Sequence, residues 1–100
     1  MFKEKVGMVT EEEKNRVRDL HERMLGLEEL MISLSNQSNT PEIKHDLYEK
    51  IVTDMGVTKM KLQNWWDEMY EKYGWRIVNG GNWHIDFQTK EIFLEYNNHF

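Results

Sequence analysis

Two of the four histidines stand beside carboxylates at spacings that metal and proton chemistry use. Glu42-Ile43-Lys44-His45 has the Glu-x-x-His spacing that sets two ligands on one helical face, as in di-iron carboxylate bundles. His84 and Asp86 are two residues apart, so a strand would point both to the same side. Either pair could ligate an ion or share a proton. A di-iron site needs a second Glu-x-x-His and further inward glutamates, and no second Glu-x-x-His occurs. The ordinary explanations are an exposed charged helix face and a solvent-facing strand pair. Cysteine is absent, which removes disulfides, thiolate zinc sites and cysteine nucleophiles together. No Gly-x-Gly-x-x-Gly or Walker motif occurs, and Gly80-Gly81 suits a turn. No catalytic residue, metal ligand or cofactor site is assigned. The leading expectation is a non-catalytic module that works by binding, and a small metal-dependent enzyme using Glu42, His45, His84 and Asp86 ranks third.

The residues suited to binding are aromatic. Trp65 and Trp66 are neighbours on a helical stretch and point about 100° apart, so both are buried only if the helix is covered on two sides. Incomplete cover leaves one tryptophan as an exposed anchor, with Asp67 beside it. Trp83, His84 and Asp86 on the following strand complete the candidate partner surface. Core packing remains the usual fate of large apolar groups at these spacings.

These side chains need elements to hold them, and the pattern supplies helices first. Thr10-Glu11-Glu12-Glu13 is a capping box with three carboxylates in the first turn. Val17, Leu20, Met24, Leu27 and Met31 follow at spacings of three and four, predicting helix 1 over about 11–34. A polar stretch, Ser35 to Asn39, then reads as a loop. Thr40-Pro41-Glu42 restarts a helix, with Thr as cap and Pro at the first helical position. Ile43, Leu47, Tyr48, Ile51, Val52 and Met55 give its buried face, and Gly56 is a natural stop. Val57-Thr58 opens a third helix carrying Leu62, Trp65, Trp66, Met69, Tyr70 and Tyr73, closed by Gly74 with Trp75 beyond. One long helix running through Gly56 is the alternative.

The period then falls to two. Strands are expected over about 75–78, 82–87 and 91–96, with turns at Asn79-Gly80-Gly81-Asn82 and Gln88-Thr89-Lys90. Phe2, Val6 and Met8 alternate, so residues 1–9 have room for a short strand that covers a sheet edge. The predicted fold class is α+β: three helices followed by a three-stranded antiparallel β-meander in a winged-helix-like order, as a single domain over residues 1–100.

Composition bounds the partner. Net charge is −5 and the isoelectric point is about 5.3. An acidic chain is poorly suited to phosphate backbones. The segment Tyr48 to Trp66 nevertheless has a helix-turn-helix rhythm, which makes a DNA-binding regulator the runner-up. Lys59, Lys61, Lys72 and Arg76 are nearly cancelled by Asp67, Glu68 and Glu71. No stretch approaches the roughly 18–20 apolar residues of a membrane span, and Met1 to Val6 carries no apolar signal core. A cytoplasmic protein is expected. The core must rest on few, large side chains, because alanine is absent while the chain has four Trp, four Tyr, four Phe and seven Met. Helix 1 could serve a homodimer as well as a monomer core.

Several segments carry a family resemblance. Val6-Gly7-Met8-Val9-Thr10-Glu11-Glu12-Glu13-Lys14, Gln63-Asn64-Trp65-Trp66-Asp67, Tyr73-Gly74-Trp75, Gly81-Asn82-Trp83 with Ile85-Asp86-Phe87, and Glu91-Ile92-Phe93-Leu94 are similar to small accessory proteins of CXXX-repeat peptide modification systems. The resemblance spans nearly the whole chain. It implies a helper role beside a radical-SAM maturase acting on cysteine-repeat ribosomal peptides, with the maturase or its precursor peptide as partner. It carries no catalytic residue onto this chain. The lack of cysteine fits a helper and not the modified peptide.

Overall fold

The structure, a computed structural model, describes residues 2–36 and 41–97. The expected Thr40 cap, most of the predicted 35–39 loop, the side chain of Glu42 and the tail at 98–100 lie outside the described residues. The element order is β1 (Phe2–Met8), α1 (Glu11–Asn36), α2 (Pro41–Tyr73), β2 (Asn82–Ile85) and β3 (Glu91–Tyr96). The fold is α+β, with two helices among the described residues in place of the three expected. No helix is long and apolar enough to cross a membrane among the described residues. The chain forms two compact units, Met1–Arg18 with Trp66–Phe100, and Asp19–Trp65.

In the unit Asp19–Trp65 the decisive local feature is Gly56, which lies inside α2. The expected stop is not made, and the helix-turn-helix with it. An isolated glycine costs a helix only about 1 kcal/mol, and apolar residues at helical spacing continue on both sides. Thr58 does not cap a new helix. Its Oγ1 donates to the Asp54 carbonyl one turn back, at 2.8 Å, a bond made from within a continuing helix. Leu27, Leu34, Trp65 and Thr58 are buried in this unit. Arg23 pairs with Asp54 in a two-pronged contact between the α1 and α2 segments.

The other unit holds the sheet, whose order is β1-β3-β2. The last strand is central. Its Ile92 and Leu94 are 0% and 1% exposed, as expected for alternation on the strand with a neighbour on each side. Both pairings are antiparallel: Trp83 faces Leu94 and Ile85 faces Ile92 on β2, while Glu4 faces Leu94 and Phe2 faces Tyr96 on β1. The N-terminal segment is thus the third strand, and the expected 75–78 strand does not form. Residues 75–78 have other bonds. The Arg76 carbonyl accepts from Trp83 Nε1 at 3.1 Å, and its guanidinium pairs with Glu4 and lies over the Tyr96 ring. Trp75 is 5% exposed.

The register of β1 slips between Lys5 and Gly7. A side chain at Gly7 would sit 2.4 Å from Trp75 Nε1. Glycine there lets the strand close over the indole. The predicted turns hold as turns. Gly81 N donates to Val78 O at 2.8 Å, with Gly80 at φ +78°, the left-handed third position of a type II turn. β2 ends at Ile85, two residues short of the expected end, because Asp86 is a turn former. Its Oδ1 accepts from Gln88 N at 2.8 Å and from Thr89 N at 3.2 Å.

Gly56 and Gly7 predict opposite responses to the same substitution. A Cβ at Gly56 meets nothing within 4 Å, so Gly56→Ala stabilises by about 0.5–1 kcal/mol. Gly7→Ala forces the indole or the strand to move and costs about 1–3 kcal/mol. Urea unfolding of the two variants checks both signs. A destabilised Gly56→Ala protein would mean that α2 breaks there.

Candidate functional site

The expected partner-binding residues do not end on one surface. Trp65 is 1% exposed and is a core side chain. Trp66, the next residue, is half-buried. It stacks on Trp83 with ring centroids 6.2 Å apart, and Trp83 stacks on Tyr70 at 5.5 Å. Trp75 stands edge-on to both tryptophans, at 6.4 and 5.8 Å. Tyr70 is 40% exposed. The result is a row of three rings, Tyr70–Trp83–Trp66, partly open to solvent and backed by Trp75. The polar atom of Trp83 is already satisfied by Arg76.

Asp67 is exposed on α2, one residue on from Trp66. His84 projects from the opposite face of the sheet to Trp83, with Nε2 at 3.3 Å from Glu95. Asp86 is committed to its turn. So the structure brings Trp66 and Trp83 together, and separates His84 and Asp86 from them. Tyr70 was missed as a surface residue. Its position four residues after Trp66 is the helical spacing that places the two side chains one above the other.

His45 Nε2 lies 3.2 Å from Glu49 on an exposed helix face. Among the described residues no group of three or more His, Asp or Glu is placed to hold a metal ion.

The best-built polar cluster was legible only as a cap. The capping box forms: Thr10 N donates to Glu13 Oε1 at 2.8 Å, and Glu13 N donates to Thr10 Oγ1 at 3.1 Å. Glu13 is also 6% exposed and takes two long-range donors. Lys72 Nζ lies 2.6 Å from Oε2, and Tyr73 Oη donates to Oε1 at 2.5 Å. Burial alone would push the carboxyl pKa up. The Lys72 ammonium, the Thr10 amide and the Tyr73 hydroxyl outweigh it and hold the value at about 2. The same contacts raise Lys72 and Tyr73, each chiefly through its hydrogen bond to Glu13. All three groups move away from neutrality. That is the reverse of the tuning acid–base catalysis uses, and it makes the cluster a tie between the start of α1 and the end of α2.

The tie has a pH signature. The folded-state pKa of Glu13 lies below the ordinary value of 4.5. Its stabilisation is therefore complete above the unfolded value and is lost as pH falls from about 4.5 toward 2. The shift corresponds to about 3 kcal/mol. Glu13→Gln is expected to lose that amount at pH 7 and to come within about half a kcal/mol of the parent near pH 2, where the Glu13 carboxyl is about half protonated. Denaturant unfolding at the two pH values checks this, and a Glu13→Gln deficit that persists unchanged at pH 2 would contradict it. Comparison of the chain with protein-family models, with curated proteins and with solved structures gives no match.

Proposed function

We propose that the chain is a non-catalytic binding module that holds a protein or peptide partner against the aromatic row Tyr70–Trp83–Trp66. The resemblance to accessory proteins of cysteine-repeat peptide modification gives the partner class: a radical-SAM maturase or its precursor peptide. The observation that carries the reading is the row itself, three stacked rings with Tyr70 40% exposed at its end. Stacking fixes the rings before a partner arrives, so little side-chain entropy remains to be lost on binding. Tryptophan and tyrosine are also the residues most enriched where interfaces gain their energy.

A second interaction, self-association, is favoured by the unit Asp19–Trp65. It leaves Leu25, Leu30, Ile32, Leu47, Tyr48 and Val52 between 41% and 62% exposed. Leu25 and Ile32, seven residues apart, share one face of α1, and Tyr48 and Val52, four apart, share one face of α2. A second copy is the fitting cover, since two helical hairpins complete a four-helix bundle with a two-fold interface.

Two measurements test these readings. Affinity capture with the full chain as bait is expected to retain a cysteine-repeat precursor or its maturase. Tyr70→Ala weakens that capture about tenfold or more while the variant stays folded at the temperature of the measurement; retention of neither partner, or a Tyr70→Ala chain that binds as well as the parent, sinks the reading. Sedimentation equilibrium is expected to show a dimer that Ile32→Lys shifts to monomer, and a parent that stays monomeric at high concentration removes the second.

A further inference from the structure

The sheet has an edge that nothing in the described chain covers. β1 pairs with β3 on one side only. An antiparallel pairing uses alternate backbone groups, so the rest of the β1 N–H and C=O groups point away from the sheet. Open edges of this kind join other strands unless the side chains forbid it.

The side chains of β1 disfavour one partner and favour another. Lys3 and Lys5 share the outer face of the sheet with Phe93, Glu91 and Glu95, while Phe2 and Glu4 share the inner face with Leu94 and Tyr96. Consider a second copy of β1 added antiparallel, with the faces kept in register. A pairing centred on Lys3 sets Lys3 against Lys3. One centred on Glu4 sets Lys3 against Lys5 twice and Glu4 against Glu4. One centred on Lys5 sets Lys5 against Lys5. Each of these three registers places like charges directly opposite, which destabilises a strand pair. Pairing with its own copy is disfavoured wherever the charged half of β1 overlaps itself.

The same two lysines invite an acidic strand. Lys5 has one carboxylate at 3.0 Å, Glu91, and 47% of its side chain stays exposed. Lys3 lies 4.6 Å above the Phe93 ring. An ammonium has three donors, so both can take a further anion without giving up these contacts. Glu4 on the inner face is already paired with Arg76, and Phe2 stacks on Tyr96 at 5.6 Å. An added strand therefore meets cations on the outer face and a neutralised, partly aromatic inner face.

We propose that the β1 edge is a peptide-binding site that takes an extended acidic segment as a fourth strand, with carboxylates at alternating positions opposite Lys3 and Lys5 and apolar residues between them. Main-chain hydrogen bonds supply the affinity and the two lysines the register. The inference shares with the proposed function only the idea of a peptide ligand. It uses a different surface from the aromatic row.

The test is a titration of the isotope-labelled full chain with a synthetic peptide alternating Glu and Val. Amide signals of residues 2–8 are expected to shift and to gain protection from exchange. A peptide alternating Lys and Val is expected to bind at least tenfold more weakly. A Glu-Val peptide N-methylated at its β1-facing amides is expected not to bind, which separates strand addition from simple charge attraction. The double variant Lys3→Glu, Lys5→Glu is expected to reverse the preference. Tyr70→Ala is expected to leave this binding unchanged, so its effect on partner capture and the outcome here fail independently. Equal binding of the N-methylated peptide, or shifts confined to residues 82–85 or to Tyr70 and Trp83, would overturn the proposal. The peptide comparisons need no variant, so a misfolded double mutant does not rescue it.

Discussion

A buried carboxylate must find donors or lose its charge, and Glu13 finds three kinds at once. It takes the Thr10 amide, the Lys72 ammonium and the Tyr73 hydroxyl. The consequence runs well beyond the cap. With its hydroxyl held by Glu13, the Tyr73 ring has a fixed plane, and Trp75 stacks on it at 5.3 Å with 4° between the rings. Gly74 makes that return possible, at φ +61° with its N–H on the Tyr70 carbonyl. Trp75 so placed reaches Gly7 on one side and Trp66 and Trp83 on another. The exposed aromatic row therefore leans on a ring whose position is set by a carboxylate at a helix N-terminus.

The sheet answers to the same tryptophan. β1 can lie over Trp75 only where it has no side chain, and the register slip next to Gly7 marks that place. A bulge of this kind bends a strand and lets its two ends take different neighbours. Toward the N-terminus Phe2 reaches Tyr96. At the other end Val9, 5% exposed, donates its N–H to the Lys90 carbonyl. Lys90 carries φ +65°, an unusual value for a residue with a Cβ. Its N–H donates to the Asp86 carbonyl at 2.8 Å, closing the turn from which β3 returns beside β2.

Much of this was legible from neighbouring residues, and the failures share a cause. The Thr10 cap, the Gly74 ending, the glycine turn and the alternation of β2 and β3 all depend on residues a few positions apart. They stand where the pattern puts them. Gly56 was misjudged because a stop signal is read from one residue, while the helix is decided by the apolar stripe on both sides and by a threonine that bonds backward. The 75–78 segment alternates well enough for a strand, but its carbonyl and guanidinium are claimed by Trp83, Glu4 and Tyr96. Those claims join positions far apart in sequence, and no local pattern reports them. The role of Glu13 beyond the cap was hidden for the same reason, since Lys72 and Tyr73 are about sixty residues away.

The tryptophan pair shows how little separates a core side chain from a surface one. Trp65 and Trp66 have the same chemistry, and one step of about 100° around the helix divides them. Trp65 falls on the stripe that includes Met69, four residues on, and both are 1% exposed. Trp66 falls on the line of Tyr70, and that line is only half covered. Burying a ring of this size fully is worth several kcal/mol at about 25 cal/mol per Å². Leaving Tyr70 and parts of two tryptophans in contact with water forgoes a share of that in a chain with no alanine and few apolar residues to spare. Stacking recovers some of it, since each aromatic pair adds about 0.5–1.5 kcal/mol beyond its area. The remainder is available to whatever covers the row.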